Sequence, residues 1–289
     1  CGFCIIPKLR GPQRSRTIDS VEREVRALAE GGAVEVNLVA QDLTAYGRDR
    51  RDGTSLPVLL RALAVRVPAV RWLRLLYAYP ASVTDELLEV MASEPAVCRY
   101  LDMPLQHVAD PILRAMRRER SGAAIRRLLA RVRATVPGIA LRSSFIVGFP
   151  GETDDHVRAL CDFLEESEFA HVGVFRYSPE EGTAAAGLPD DVPEAVKAAR
   201  WERVMAVQAR VAARVAAARI GRTVEVLVER VDGRVAIGRT AEQAPEIDGV
   251  VRLAGPFPGG RVPEPGDLVH ARVTGADTYD LRARVVRAR

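Results

Sequence analysis

Residues 139–175 read IALRSSFIVGFPGETDDHVRALCDFLEESEFAHVGVF, and this stretch carries the pattern of the whole first half of the chain. Ile139 to Val147 is an apolar, β-branched run that predicts a buried strand. Gly148-Phe149-Pro150-Gly151 interrupts it, since Gly and Pro punctuate regular structure. Glu152, Thr153, Asp154 and Asp155 supply a cap and an acidic first turn for a helix over Asp154–Glu166. His171-Val172-Gly173-Val174-Phe175 predicts the next strand. A strand, a helix of this length and a second strand make a unit with parallel strands and a right-handed crossover.

The same unit repeats upstream. Ser20 precedes a helical pattern from Glu22 to Ala29, ended by Gly31-Gly32, and Val34–Ala40 predicts a strand. Leu56–Val67 predicts a helix, Trp72–Leu76 a strand, and Thr84 caps a helix over Asp85–Ser93. Tyr100–Met103 predicts a short strand, followed by helices over Ile112–Met116 and Ala123–Thr135. The expected fold is α/β, a partial (β/α) barrel whose chemistry collects at the C-terminal ends of the strands. Residues 194–219 predict one long Ala/Arg-rich helix ending at Gly221. The period then changes to two. Thr223–Val228, Val235–Arg239, Gly249–Leu253, Gly266–Val273 and Asp280–Val286 predict five short strands, with Asp232-Gly233 as a hairpin turn. Five such strands suggest a small closed all-β barrel of the OB kind. The expected domains are 1–220 and 221–289.

Composition limits the function. Of 289 residues, 48% are hydrophobic and 28% charged, which excludes wholesale disorder. No apolar run approaches the roughly 20 residues that a membrane span needs, and no secretory signal is visible, so a cytoplasmic protein without membrane contact is expected. The net charge is +4, and only two of the 42 basic residues, Lys8 and Lys197, are lysine. Base composition is the ordinary reading of that skew. Residues 114–133 hold eight arginines against the single acid Glu119. Such a run steers polyanions, but it is also what the wet face of a helix looks like, and the second is the ordinary reading. Of the four cysteines, Cys98 and Cys161 sit in apolar surroundings and read as buried small hydrophobes. Cys1 and Cys4 form a CxxC at the first residue. A chain opening on Cys rather than Met reads as a fragment.

Three features fall at strand exits. Cys1-x-x-Cys4 is ambiguous among zinc, redox dithiol and iron–sulfur ligation, with His107 the other soft ligand in view. Gln41 to Gly47 places polar groups after a buried strand. Ser143 to Glu152 contains glycines that let backbone approach a ligand. Alone, each of the last two reads equally well as a tight turn with good caps.

Taken together these motifs resemble a known family. Cys1-Gly2-Phe3-Cys4-Ile5-Ile6-Pro7 with Arg10-Gly11 and Ser15-Arg16, Asp102-Met103-Pro104-Leu105-Gln106-His107, Phe145 to Glu152, and Tyr177-Ser178 with Gly182-Thr183 are similar to the radical S-adenosylmethionine (SAM) methylthiotransferases. The resemblance covers nearly the whole chain, and residues 221–289 resemble the family's TRAM domain. It implies a [4Fe–4S] cluster held by Cys-x3-Cys-x2-Cys, of which Cys1 and Cys4 match the second and third cysteines. The first cysteine, and an N-terminal domain with a second cluster, have no counterpart here, so a chain inactive by itself is expected. The resemblance further implies SAM as cofactor, with Gln41 and Asp42 at its amino group, Arg142 at its carboxylate, and Gly148 and Gly151 beside its adenosine. An electron donor of flavodoxin or ferredoxin type is implied as well.

Two branches of the family differ in substrate: an adenosine in tRNA, or an aspartate of ribosomal small-subunit protein number twelve. Glu180 and Glu181 stand where the tRNA branch tends to carry a basic residue, and Arg239-Thr240 with Gln243 to Gly249 also resemble the protein branch. Residues 221–289 hold eleven arginines against ten acids, too neutral for a module that grips several phosphates. The acids Glu242, Glu246 and Asp248 are expected to face a basic protein. The protein substrate is therefore the expected one. The tRNA substrate is the alternative, and a non-catalytic binding module is another. Contact of segment 114–133 with ribosomal RNA is compatible with this reading but not required by it.

Overall fold

The structure is a computed structural model that describes residues 1–118 and 121–288. Glu119 and Arg120 of the basic run lie outside the described residues. The first part runs α1 (Ile6–Arg10), α2 (Ile18–Glu30), β1 (Glu35–Leu38), α3 (Leu56–Arg66), β2 (Trp72–Leu75), α4 (Asp85–Ser93), β3 (Val97–Asp102), α5 (Asp110–Ala115), α6 (Gly122–Thr135), β4 (Ala140–Val147), α7 (Asp154–Ser167) and β5 (His171–Arg176). Then α8 (Glu194–Ala217) leads to β6 (Thr223–Asp232), β7 (Val235–Arg239), β8 (Val251–Ala254), β9 (Leu268–Ala276) and β10 (Leu281–Ala288). Strands β1 to β5 form one parallel sheet in sequence order, open between β1 and β5. Strands β6 to β10 close into a barrel of order β10-β8-β7-β6-β9. The partial barrel followed by an OB-like barrel is the architecture that the patterning predicts. The strand of residues 97–102 begins three residues earlier than expected and takes Cys98 into its buried side. Its apolar side chain serves there as packing, and desolvation pushes its thiol up to about 12.

Thr84 and Thr153 cap their helices as the sequence predicts, whereas α2 begins at Ile18 and is capped by Thr17, with the expected cap Ser20 inside its first turn. Thr17, Ser55, Thr84 and Ser121 each accept a backbone N–H in the first turn of α2, α3, α4 and α6. Thr153 and His156 form a reciprocal capping box on α7. One face of the sheet is apolar. Val36, Leu73, Leu75, Leu101, Leu141 and Phe145 pack against the helices. Phe145, Phe163 and Phe169 meet pairwise at centroid distances of 6.2, 6.0 and 5.8 Å.

The concave face is polar, and the small barrel closes one end of it. Trp72, Cys98, Tyr100 and Ala140 pack with Leu227 and Ala244. Glu35 accepts from Arg74 Nε and from Arg239 Nη2, each at 2.6 Å. Arg74 is 0% exposed and also donates to Ala241 O at 2.9 Å. Asp248, from the small barrel, accepts from Tyr100 Oη at 2.7 Å and from its own Ala244 N at 2.8 Å. Its other oxygen lies 3.5 Å from Arg142 Nε and 3.4 Å from His171 Nδ1. Charges on a parallel sheet's concave face have to be paired once water is removed. Here the two parts of the chain neutralise each other.

Two expectations follow. In Glu35→Gln, two buried guanidinium groups lose their shared carboxylate, which is expected to cost about 3–5 kcal/mol. Urea denaturation followed by tryptophan fluorescence checks this, and a loss below about 1 kcal/mol, the value of a surface pair, overturns it. His171 has its pKa lowered, first by burial, against the opposing pull of Asp248. Protonation therefore favours the unfolded chain. The contribution of His171 is complete above its ordinary value near 6.5 and is lost as pH falls from there through the lower folded value. The carboxyl of Asp102, pushed up by burial, acts in the opposite sense. The informative quantity is thus the difference between His171→Asn and wild type: the urea midpoint of the variant is expected to fall less between about pH 7.5 and 5.5.

Candidate active site at the barrel mouth

The Cys1–Cys4 loop lies across the C-terminal ends of β4 and β5. Gly2 N donates to Met116 O at 2.7 Å, and Ala185 N donates to Gly2 O at 2.8 Å. Gly2 fits closely here, since a Cβ would sit 3.3 Å from Met116 O and from the Arg117 side chain. Phe3 meets Phe149 edge-on at 6.5 Å, and Phe149 meets Tyr177 at 4.8 Å. Ile112, Met116, Phe149, Tyr177 and Ala185 make the small apolar cluster that carries the loop. Cys1 is exposed and Cys4 half-buried, and both are free thiols. Arg118 donates to Cys1 Sγ at 3.0 Å and to Pro104 O, with its guanidinium 5.0 Å from the Tyr79 ring centroid.

Beneath the loop, the turn Gly148–Glu152 is organised by one buried carboxylate. Glu152 Oε1 accepts from Gly148 N at 2.8 Å and from Arg200 Nη1 at 3.1 Å. Its Oε2 lies 3.3 Å from His107 Nε2, and both side chains are 0% exposed. His107 Nδ1 accepts from Val108 N at 2.9 Å and Ala109 N at 3.0 Å. A ring nitrogen that accepts carries no proton, so the proton sits on Nε2 and faces Glu152. His107 is fully buried against Glu152, with its Nε2 making no hydrogen bond among the described residues. From the sequence, Glu152 reads only as part of a capped turn; a carboxylate four residues after a strand-ending glycine is the spacing that lets it fold back on the turn.

Gln41 and Asp42 leave β1 at this same end. Gln41 is exposed and Asp42 half-buried. Asp42 accepts from the Thr44 hydroxyl, which itself accepts from Tyr79 N at 3.1 Å, and Leu43 N donates to Tyr77 O at 3.1 Å. Gln41 and Asp42 line a cavity of about 700 Å³ together with Ile6, Pro7, Arg10 and Gly11, which follow the cysteine loop. The structure therefore brings this pair and the segment after the CxxC into one cavity.

Arg142 does not join them. It is the third residue of β4, level with Asp102, and its guanidinium binds Asp102 Oδ1 at 3.0 Å and approaches Asp248. It lines a separate cavity of about 410 Å³ with His171, Ile247, Asp248 and Tyr279. Alternation along β4 turns it to the concave face well before the strand exit. Gly148 and Gly151 both adopt positive φ, +74° and +78°. A Cβ on Gly148 would sit 2.3 Å from Lys197 Cγ, so this glycine makes room for a side chain of α8. Gly151 N donates to Asp191 Oδ1 at 2.9 Å, toward the segment that precedes α8.

The expected acidic face of the small barrel is also altered. Glu242 is half-buried and pairs with Arg219, Glu246 is exposed, and the Asp248 side chain is 1% exposed, so Asp248 is withdrawn from that face. In the basic run, Arg126 and Arg131 are paired with Glu166 and Asp85, and Arg133 donates to Ser167 O. That is the solvated-face reading of this segment. Among the described residues no group of three or more His, Cys, Asp or Glu side chains is placed to hold a metal ion. Cys1 and Cys4 therefore do not by themselves complete a three-thiolate cluster site. Among the described residues, no helix is long and apolar enough to cross a membrane.

Comparison with known proteins agrees with this geometry. Residues 1–164 match the radical SAM superfamily and residues 220–286 the TRAM domain. The ribosomal protein uS12 methylthiotransferase RimO of Anaeromyxobacter sp. (strain Fw109-5) is 51% identical over 99% of this chain and 60% of its own length. The RimO proteins of Syntrophotalea carbinolica and Geobacter sulfurreducens are 50% and 46% identical, again over 99% of this chain and 62% and 63% of their own lengths. The chain thus spans about 60% of the length of these curated relatives. Among solved structures, coproporphyrinogen III oxidase (HemN) of Escherichia coli, described as a radical SAM enzyme, superposes with a TM-score of 0.53 at 17% identity, over 67% of this chain and 45% of that one. That likeness concerns the fold. Taken with the parallel sheet and the cysteine loop across its mouth, the match over residues 1–164 makes this chain a member of the radical SAM superfamily.

Proposed function

We propose that this chain is the radical SAM and TRAM portion of a methylthiotransferase that acts on ribosomal protein uS12. In the overall reaction a C–H bond at the β-carbon of an aspartate is replaced by C–S–CH3. The observation that carries the reading is the convergence of four separate segments on one mouth: Cys1–Cys4, Phe149 to Glu152, His107, and Tyr177 with Ala185. Identity near 50% along 99% of the chain to relatives named for that activity supports it. The location is cytoplasmic, where ribosomal proteins are made, and the electron donor is of flavodoxin or ferredoxin type.

The roles of the residues follow from their places. Cys1 and Cys4 contribute two thiolates. Asp42 offers a carboxylate oxygen to a positively charged amino group at the end of the 700 Å³ cavity, with Gln41 beside it. Glu152 and His107 keep the floor rigid without touching ligand, since both are fully buried. Arg142 acts on the structure, by holding Asp102 and the TRAM barrel.

The substrate reading is tested by incubating the whole reduced protein with SAM and either ribosomal particles or tRNA. uS12 is expected to gain the mass of one methylthio group and tRNA to remain unchanged; the opposite pattern selects the tRNA branch. The 289-residue chain alone, given iron and sulfide, is expected to release no 5′-deoxyadenosine from SAM, and release would show that two thiolates suffice. In the whole protein, Asp42→Asn is expected to weaken SAM binding about tenfold, in line with losing one charge-assisted hydrogen bond. Arg142→Gln should leave that affinity within about threefold and lower stability instead. Equilibrium dialysis with labelled SAM separates the two, and a tenfold effect confined to Arg142→Gln restores that residue to the carboxylate-binding role.

A further inference from the structure

Only two of the 42 basic residues are lysine, and both hold the same loop. Lys8 donates to Gly182 O. Lys197, in the first turns of α8, is 3% exposed, and its ammonium donates to Asp190 Oδ2 at 2.7 Å and to Tyr177 O at 3.4 Å. The same ammonium lies 5.4 Å from the Tyr177 ring centroid. Its stem runs beneath Gly148, where a Cβ would come within 2.3 Å of Lys197 Cγ.

From Tyr177 two routes lead to the cysteine loop. Tyr177 Oη donates to Ala185 O at 3.2 Å, and Ala185 N donates to Gly2 O at 2.8 Å. The Tyr177 ring meets Phe149 at 4.8 Å, and Phe149 meets Phe3 at 6.5 Å. Both routes end between Cys1 and Cys4. One turn along α8, Arg200 holds Glu152 at the far end of the same Gly148–Glu152 turn.

We propose that Lys197 is a positioning residue that locks Tyr177 against Phe149 and so fixes the Cys1–Cys4 loop over the barrel mouth. A lysine serves here because a compact ammonium on an unbranched stem passes under Gly148 and donates in two directions, whereas the flat fork of arginine is too wide. Gly148 is then required by Lys197 rather than by a ligand. The helix that bears Lys197 runs on to the TRAM barrel, so the cysteine loop and the TRAM barrel share one rigid support. The inference deepens the proposed function and rests on the reading that this loop carries the cluster thiolates. Its test asks only where the loop sits. Failure of the wider reading would appear separately, as absence of bound iron and sulfide in the whole protein.

The test uses this chain in a Cys1→Ser background, where Cys4 is the one half-buried thiol beside the buried Cys98 and Cys161. The rate of Cys4 reaction with a disulfide reagent is read by peptide mass mapping. Lys197→Met is expected to raise that rate roughly five- to tenfold, because the loop then opens more often without global unfolding. Lys197→Arg is expected not to restore the wild-type rate, and Gly148→Ala, which pushes on the stem, should raise it as well. A rate within about twofold of wild type in folded Lys197→Met overturns the proposal. So does an equal rise in Val285→Ala, a TRAM-barrel variant matched for thermal stability. Should Lys197→Met fail to fold, Asp190→Asn serves in its place, with a rise of roughly two- to threefold expected and no rise counting against the proposal.

Discussion

The structure depends on neutralising a charged concave sheet face. In a parallel sheet both faces are normally covered by apolar contacts, and here one face instead carries Glu35, Arg74, Asp102, Arg142 and His171. None of these tolerates burial unpaired. The sheet pairs some of them internally, Arg74 with Glu35 and Arg142 with Asp102. The TRAM barrel supplies the rest, Arg239 to Glu35 and Asp248 to Tyr100, Arg142 and His171. The small barrel is thus a structural plug at one end of the large one. Its surface acids are fewer than its composition suggests, because some of them serve as internal counter-charges.

At the other end the same logic recurs on a smaller scale. Glu152 is a fully buried carboxylate that holds Gly148 N, receives Arg200 and faces His107. Each contact joins a different stretch of chain: the strand-to-helix turn, the last long helix and the loop after β3. A carboxylate with several donors around it makes a stiff node. The cysteine loop rests on this node through Phe149, with Cys1 exposed and Cys4 half-buried. The largely apolar cavity that Gln41 and Asp42 line is made of different residues from this floor.

Much of this was legible in the residues. The alternation of strand and helix patterns, the caps at Thr84 and Thr153 and the change of period after residue 220 reflect local physics: side-chain periodicity, orphan amides and turn chemistry. The CxxC at a strand exit and the Gln41-Asp42 pair are also local signals, and both lie where expected. The surroundings of Arg142 depend on Asp248, 106 positions away, and on which side of the strand it takes rather than on its nearness to a motif. At Gly148 the sequence shows that a glycine is needed but not that the Lys197 stem presses against it. Asp248 reads as a surface acid because composition does not show which charges face inward.

The sequence alone determined the order of elements, the two-part architecture and the family, since these follow from short-range patterns that each stretch carries by itself. Only the tertiary structure decided which charges are paired, which glycine makes room for which side chain, and which polar groups share a cavity. Those are contacts between residues far apart in the chain, and their partners are set by how the barrel curves and where the TRAM plug seats, not by spacing.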